Sequence, residues 1–153
     1  MRPASRRSII WSFNFAIEGI VWTLRTQRNM RVHIAIAMLV TVASLLLGIG
    51  RLELIAVIFA ITLVIVTELL NTAIEAAVDV ATERYDPLAK VSKDVAAGAV
   101  LISAINALAI AYLVLFDPAL RVLQHGLDIV RFAAADLTVI ALVLVLDRKS
   151  TRL

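Results

Sequence analysis

Four polar side chains, spaced by three or four residues, interrupt the most apolar part of the sequence. Glu68, Asn71, Glu75 and Asp79 lie in ELLNTAIEAAVD, which follows LIAVIFAITLVIVT without a turn residue between the two stretches. At 100° per residue of α-helix, these four and Thr82 fall on one face about 80° wide. Ionisable side chains are costly within a membrane span and normally face a protein interior or a wet cavity. The sequence therefore predicts that these five residues, the polar stripe, lie against a partner.

Depth along this helix indicates different chemistry for different members of the polar stripe. At 1.5 Å per residue, Glu68 is expected about 20 Å from the outer boundary, whereas Glu75 and Asp79 come near the cytoplasmic surface. A buried carboxylate suits a general base that takes a proton from an alcohol. Carboxylates at the water end suit a hard divalent cation, which takes oxygen ligands. A purely structural stripe bonded to neighbouring helices is the alternative, but Lys93 and Asp94 just beyond a short loop favour a functional site.

Composition indicates an all-α polytopic membrane protein. Of the 153 residues, 61% are hydrophobic and only 18% charged, which is outside the range of a water-soluble domain. The absence of cysteine excludes disulfides and thiolate metal sites. Residues 8–25 carry apolar residues at spacings of three and four and are predicted to form an amphipathic surface helix. Apolar runs and turn residues then predict three core spans, residues 33–50, 52–85 and 93–116.

The remainder of the chain is predicted to add a fourth span. Residues 1–117 form the core, the third span is expected to stop at Asp117 and Pro118, and residues 118–131 would connect outside the cytoplasm to a C-terminal span and basic tail at 132–153. Ala99, Ser103, Ala107 and Ala111 recur every four residues, which predicts close helix packing. In this topology twelve of the fifteen basic residues face inward, as the positive-inside rule requires. The expected location is the bacterial inner membrane, with the site facing the cytoplasm.

The polar stripe also carries a family resemblance. ELLNTAIEAAVD followed by LAKVSKDVAAGAVL is similar to the core of the bacterial diacylglycerol kinase family, which includes the undecaprenol kinases. The resemblance covers residues 8 to about 116, and RNMRVH and DPLAK look more like the undecaprenol kinase branch. It implies a homotrimer that transfers the γ-phosphoryl group of MgATP to a lipid alcohol, undecaprenol or diacylglycerol. ATP, Mg²⁺ and the lipid are the implied partners, and nucleic acid is not among them.

The resemblance also implies roles for individual residues. Glu68 corresponds to the general base and Glu75 to a magnesium ligand, while Asn71 and Asp79 correspond to polar residues lining the nucleotide site. Lys93 and Asp94 correspond to residues that contact the nucleotide. Phosphoryl transfer needs mainly positioning and charge neutralisation, so this set of groups is sufficient for the reaction.

One position departs from the family pattern. TQRNMRVH places Gln27 where the family usually has a second metal-binding glutamate. Either the Gln27 carbonyl oxygen ligates magnesium without contributing charge, or Glu18 or Asp79 compensates. Arg31 is predicted either to anchor the membrane topology or to bind ATP phosphates with its planar guanidinium group. His33 is interpreted as an interfacial residue.

Two other functions fit part of the pattern. A small proton-coupled transporter would also carry a membrane-buried glutamate, but it would not need Lys93 and Asp94 beside the same cavity. A non-catalytic membrane subunit that had lost one metal ligand is compatible with Gln27. Phosphorylation of a lipid alcohol by MgATP separates the kinase from both.

Overall fold

The described part of the chain forms four α-helices, which confirms the all-α prediction. The structure, a computed structural model, describes residues 9–82 and 84–150, with side chains for 11–82, 84–128 and 131. The helices in chain order are α1 (Ile9–Thr26), α2 (Arg28–Leu46), α3 (Arg51–Ala81) and α4 (Pro87–Ser150). Helices α2 and α3 and the part of α4 from Pro87 to Asp128 are long and apolar enough to cross a membrane.

Helix α1 coincides with the predicted surface helix, shifted by one residue at each end. Its side chains from residue 11 to residue 22 are all exposed, and the rings of Trp11 and Phe15 lie 6.3 Å apart. Thr23 is buried where α1 meets the rest of the protein and donates a hydrogen bond to the Gly19 carbonyl at 3.0 Å. An apolar, solvent-accessible surface on α1 is typical of a helix that lies in a membrane interface.

Helix α2 begins earlier and ends earlier than the predicted span at 33–50. Gln27 adopts an extended conformation (φ −95°, ψ 120°) that separates α1 from α2. After Leu46 the chain turns at Gly48, whose φ of +63° is a left-handed conformation that glycine adopts without a steric penalty. The Gly50 backbone N–H then donates to the Glu53 carboxylate at 2.6 Å, which caps α3.

The loop between α3 and α4 lies earlier in the chain than the sequence predicted, and at residues 82–86 it is shorter than the predicted 86–92. Helix α3 ends at Ala81 and not at residue 85, because Thr82 adopts an extended conformation. Helix α4 begins at Pro87 and not at residue 93. The Asp86 carboxylate accepts hydrogen bonds from the Leu88 and Ala89 backbone N–H groups at 2.7 and 3.2 Å. Asp86 is therefore the N-cap and Pro87 the first helical residue, a favourable pair because proline has no N–H to satisfy there.

The largest difference from the prediction is at the end of the third span. Helix α4 does not stop at Asp117 and Pro118 but continues through Pro118 to Ser150, so residues 118–131 are helical and not a separate connection. A proline inside a helix removes one backbone hydrogen bond, at a cost of about 3 kcal/mol, but it ends a helix only if the following residues disfavour helix. ALRVLQ follows directly and favours helix. The predicted fourth span is therefore part of α4 and not a separate helix in the part of the chain described, and residues 151–153 of the predicted tail lie outside it.

The interior lies mainly between α3 and α4, and it contains several polar side chains beside apolar ones. Glu68, Asn71, Thr72 and Ser103 are all at most 7% exposed. Many large apolar side chains point outward, such as Leu39 and Phe59, which are 69% and 67% exposed. Exposed apolar surface on this scale needs a partner, and a lipid bilayer provides it along the three apolar helices.

Candidate active site between α3 and α4

One face of α3 is buried along most of its length and changes from apolar to polar part-way down. Val57, Ala60 and Val64 form its apolar half. Glu68 and Asn71, at 2% and 7% exposure, continue the same face one turn further. The prediction that the polar stripe faces the protein interior is therefore confirmed for its first two members.

The polar stripe becomes more accessible from Glu68 to Asp79. Glu68 and Asn71 are buried, Glu75 is half-buried, and the Asp79 side chain is 67% exposed. This gradient agrees with the expected run of the stripe from membrane depth to water. A site with this shape lets an apolar molecule and a water-soluble molecule approach the same carboxylates from opposite ends.

The Glu68 carboxylate is the most buried acidic group among the described residues. Its Oε2 atom is enclosed and has no hydrogen-bond partner. The Thr72 hydroxyl donates at 2.9 Å, but to the Glu68 backbone carbonyl and not to the carboxylate. The ionisable groups that interact electrostatically with this carboxylate are His33 on α2 and Glu75 on α3. A buried acceptor without a donor is unfavourable in a folded protein, so it indicates a ligand position.

Asn71 presents a second acceptor without a partner. Its Nδ2 donates to Glu75 Oε1 at 3.0 Å, and its Oδ1 is buried with no donor. This orientation of the amide follows from chemistry, because an ionised carboxylate can only accept a hydrogen bond. Glu68 and Asn71 therefore each carry an unpartnered acceptor oxygen on the same buried face of α3, about one helical turn apart. Two such oxygens suit a hydroxyl donor or a hard cation, whereas a phosphate would need donors.

The exposed end of the polar stripe meets α4 through an ion pair. The Lys93 ammonium binds the Asp79 carboxylate, and the Lys93 side chain is 36% exposed. Asp94 faces away and accepts instead from Lys90 Nζ at 2.6 Å. The structure thus brings Lys93 into line with the stripe and leaves Asp94 beside it on the exposed surface of α4.

A polar recess of about 250 Å³ opens beside this ion pair. Asp79 and Lys93 line it together with Arg84, Tyr85 and Lys90. Sequence reasoning did not assign Arg84 or Lys90 to the site. The available signal is the density of basic residues flanking DPLAK, which by itself indicates only membrane topology.

The residues predicted on α1 and α2 occupy less central positions. Gln27 is half-buried at the start of α2, and Arg31 is exposed on the same helix. Glu18 is exposed on α1, where it accepts from Asn14 Nδ2 at 2.8 Å. His33 lines a partly open apolar pocket of about 150 Å³ between α2, α3 and α4. Sequence reasoning placed His33 at the interface and missed its interaction with Glu68, because only the fold brings α2 beside that turn of α3.

The donor set is compatible with magnesium. No group of three or more His, Asp or Glu side chains with metal-binding geometry occurs among the described residues. Mg²⁺ is usually held by one or two carboxylates together with substrate phosphates and water, so a complete protein cage is not required. The Glu75 carboxylate and the free Asn71 Oδ1 provide oxygen ligands of the necessary kind.

Comparison with known proteins decides the family. The family model for prokaryotic diacylglycerol kinase matches residues 14–115, about two thirds of the chain. The chain belongs to the prokaryotic diacylglycerol kinase family. The match contains the whole polar stripe together with Lys93 and Asp94, and it ends close to the point where α4 was expected to stop.

Two characterised relatives agree with this assignment. The chain is 42% identical over 120 residues to a diacylglycerol kinase of Synechocystis, covering 76% of this chain and 67% of that protein. It is 43% identical over 94 residues to an undecaprenol kinase of Bacillus subtilis, covering 61% of this chain and 76% of that protein. The prediction of a membrane lipid kinase is confirmed at the level of the family, and the transporter alternative receives no support.

Proposed function

We propose that this lipid kinase transfers the γ-phosphoryl group of MgATP to the hydroxyl of a long-chain lipid alcohol at the cytoplasmic face of the bacterial inner membrane. The observation that carries the proposal is the buried, unpartnered carboxylate oxygen of Glu68. It lies where the apolar half of the α3 face ends and the polar stripe begins. An acceptor at that boundary can be reached by a hydroxyl that remains attached to a lipid tail.

Glu68 acts as the general base in this proposal. The lipid hydroxyl donates to Glu68 Oε2, and the carboxylate takes its proton as the alcohol oxygen bonds to the γ-phosphorus. The bond between that phosphorus and the β,γ-bridging oxygen breaks, and ADP leaves with the bridging oxygen. Glu68 then returns the proton to water along the polar stripe. The apolar surroundings hold the lipid hydroxyl against this carboxylate, which supplies the positioning that phosphoryl transfer requires.

The nucleotide occupies the exposed end of the stripe in this proposal. The polar recess supplies cationic donors, Lys93 foremost, for the phosphate oxygens. Asp79 holds Lys93 in place, and Asp94 and Arg31 approach the nucleotide from the rim. Glu75 and Asn71 Oδ1 would hold magnesium, with Gln27 as a neutral third ligand; the ion would neutralise charge on the phosphates.

Undecaprenol is the acceptor that we favour over diacylglycerol. The support is the likeness of RNMRVH and DPLAK to the undecaprenol kinase branch. The two relatives are almost equally similar to this chain, at 43% and 42% identity, so overall similarity does not separate the acceptors.

Phosphorylation of purified acceptors tests the proposal. Purified protein in detergent micelles receives MgATP with undecaprenol, with diacylglycerol or with no added lipid, and the lipid phosphate formed is measured. We expect undecaprenyl phosphate as the major product and none with the Glu68→Gln variant. If only diacylglycerol is phosphorylated, the proposed acceptor is wrong but the proposed lipid-kinase activity stands. No phosphorylated lipid from either acceptor, in folded protein, would contradict the proposed function.

A further inference from the structure

Helices α3 and α4 are joined by a pair of hydroxyl groups directly beside Glu68. Thr67 Oγ1 and Ser103 Oγ lie 2.8 Å apart, and Ser103 is only 4% exposed. Within the part of the chain described, the other side-chain hydrogen bond between these helices is the Lys93–Asp79 ion pair. We infer that the Thr67–Ser103 pair is a positioning contact that fixes the rotation of α3 against α4 at the turn carrying Glu68. This inference rests on the proposed function of Glu68.

The two contacts between α3 and α4 bracket the candidate site. Thr67 and Asp79 are separated by about 18 Å along α3, and Lys93 and Ser103 by about 15 Å along α4. Glu68, Asn71 and Glu75 all lie between them. One contact alone would set the distance between the helices, whereas two contacts at opposite ends also set their rotation and register.

The hydroxyl pair is the more specific of the two contacts. The ion pair is partly exposed, with the Asp79 side chain 67% accessible, and ion pairs of that kind contribute little and tolerate movement. The hydroxyl pair is short, half-buried to buried, and surrounded by apolar helices. Close approach at this point is possible because Ser103, Ala107 and Ala111 present small side chains on the inward side of α4.

The local hydrogen bonds indicate that this pair contributes to positioning more than to stability. Thr67 Oγ1 also lies 2.9 Å from the Leu63 carbonyl, and Ser103 Oγ lies 2.8 Å from the Val100 carbonyl. If one hydroxyl is removed, the other can still donate to its own backbone, so no buried hydroxyl is left without an acceptor. The fold should therefore survive the loss of the pair, while the rotation of α3 becomes less defined.

A small rotation is enough to affect the reaction. Side-chain atoms at the helix surface lie about 6 Å from its axis, so a rotation of about 10° moves the Glu68 carboxylate by about 1 Å. Misplacement by about 1 Å can reduce the rate of a positioned reaction by as much as a hundredfold.

Removal of each hydroxyl tests the inference. The variants are Thr67→Val, Ser103→Ala and the double variant, with Thr67→Ser as the conservative replacement that keeps the hydroxyl. Thr62→Val is the matched control, because Thr62 is an exposed threonine of α3 that bonds only to the Ile58 carbonyl. The measurements are lipid-kinase kcat, KM for ATP and thermal unfolding in detergent.

The expected pattern is specific to positioning. Thr67→Val and Ser103→Ala should each lower kcat about tenfold with KM for ATP nearly unchanged, and the double variant should fall no further because both changes break one contact. Thr67→Ser should restore most of kcat, and Thr62→Val should have no effect. Unchanged kcat in both single variants, or a double variant whose loss is the product of the two, would overturn the inference.

A second measurement does not depend on activity and separates this inference from the proposed function. The natural sequence has no cysteine, so a single introduced cysteine is uniquely labelled. Thr72→Cys places it at a position that is 4% exposed, one turn beyond Glu68. Its reaction with a water-soluble maleimide should accelerate severalfold when Thr67→Val is added, while Ala73→Cys, already exposed, should not change. Equal labelling with and without the hydroxyl would overturn the positioning role even if the wild-type protein phosphorylated no lipid.

Discussion

A carboxylate buried among apolar side chains is costly unless a partner group satisfies it. Glu68 has an enclosed oxygen without a donor, and Asn71, one turn away, has another. Two unsatisfied acceptors on one face are difficult to attribute to packing, because apolar residues of similar size would fill the same space at lower cost. The arrangement is better explained by a ligand hydroxyl or cation that completes the hydrogen bonding.

Replacement of Glu68 by glutamine tests the role of its charge. Glutamine keeps the shape of the side chain but cannot accept a proton, so Glu68→Gln should lower kcat by about 10²- to 10⁴-fold. Stability should be unchanged or greater, because a buried acidic group is replaced by a neutral amide. Asp128→Asn, an exposed carboxylate-to-amide change beyond the family match, is the control. Turnover above a tenth of the wild-type value would remove Glu68 from the general-base role.

Replacement of Gln27 by glutamate tests whether this position ligates magnesium. Gln27 is half-buried at the start of α2, where its side chain caps no backbone group. A charged ligand binds Mg²⁺ more tightly than a neutral one, so Gln27→Glu should lower the half-saturating magnesium concentration by about tenfold if Gln27 coordinates the ion. The titration is made at fixed ATP, with Glu18→Gln as a second variant because Glu18, like Asp79, is an alternative candidate ligand. A magnesium titration identical to that of the wild type would place Gln27 outside the coordination shell.

For individual residues, the sequence predicted the burial of the polar side chains on α3 well and their hydrogen-bond partners poorly. Helical periodicity alone placed Glu68 and Asn71 on a buried face, because both the face and the spacing are local properties. The Asn71–Glu75 hydrogen bond, the influence of His33 and the Thr67–Ser103 pair depend on side-chain orientation and on which helices meet. Those properties are set by tertiary packing and could not be read from spacing.

Packing of α3 against α4 converts single residues into a site. Helix α3 supplies the carboxylates, and α4 supplies Lys93 at the exposed end and small side chains at depth. The loop from Thr82 to Asp86 is held by the Asp86 cap, which starts α4 early enough to bring Lys93 opposite Asp79. The sequence predicted both helices but misplaced their facing ends by four and six residues, because a cap is defined by backbone conformation and hydrogen bonds.

Replacement of Lys93 tests whether its side chain binds the nucleotide or only stabilises the packing of α3 against α4. Lys93→Met should raise KM for ATP about tenfold or more, because a charge-assisted hydrogen bond to a phosphate contributes about 1.5–3 kcal/mol. The free energy of unfolding should fall by no more than about 1 kcal/mol, since the ion pair with Asp79 is partly exposed. Arg121→Met, an exposed basic position on α4 beyond the family match, is the control. A loss of stability without a change in KM for ATP would make the ion pair structural.

The described part of the chain exposes many large apolar side chains and buries several polar ones, and a bilayer provides the apolar partner that this exposed surface needs. Three helices meet the membrane with apolar side chains, and the polar stripe is covered mainly by a single neighbour, α4. In a subunit with so few helices, contacts with other copies of the chain would enclose the site better than the single chain does. This agrees with the expectation of a homotrimer. Light scattering of purified protein, corrected for detergent, should give three chains per particle; a monomer that retains full activity would contradict this expectation.

Removal of the C-terminal extension, residues 118–153, tests whether kinase activity requires it. The family match ends at residue 115, and the described side chains from Ala119 to Asp128 are all exposed, so they form few contacts with the core. A chain ending at Asp117 should therefore keep kcat within about threefold of the full-length value, a change of less than 1 kcal/mol in the barrier. The measurement is undecaprenol phosphorylation by both chains, with light scattering of each. If the shorter chain is folded but inactive, or is no longer a trimer, then α4 beyond Pro118 belongs to the working enzyme and its continuity through that proline is functional.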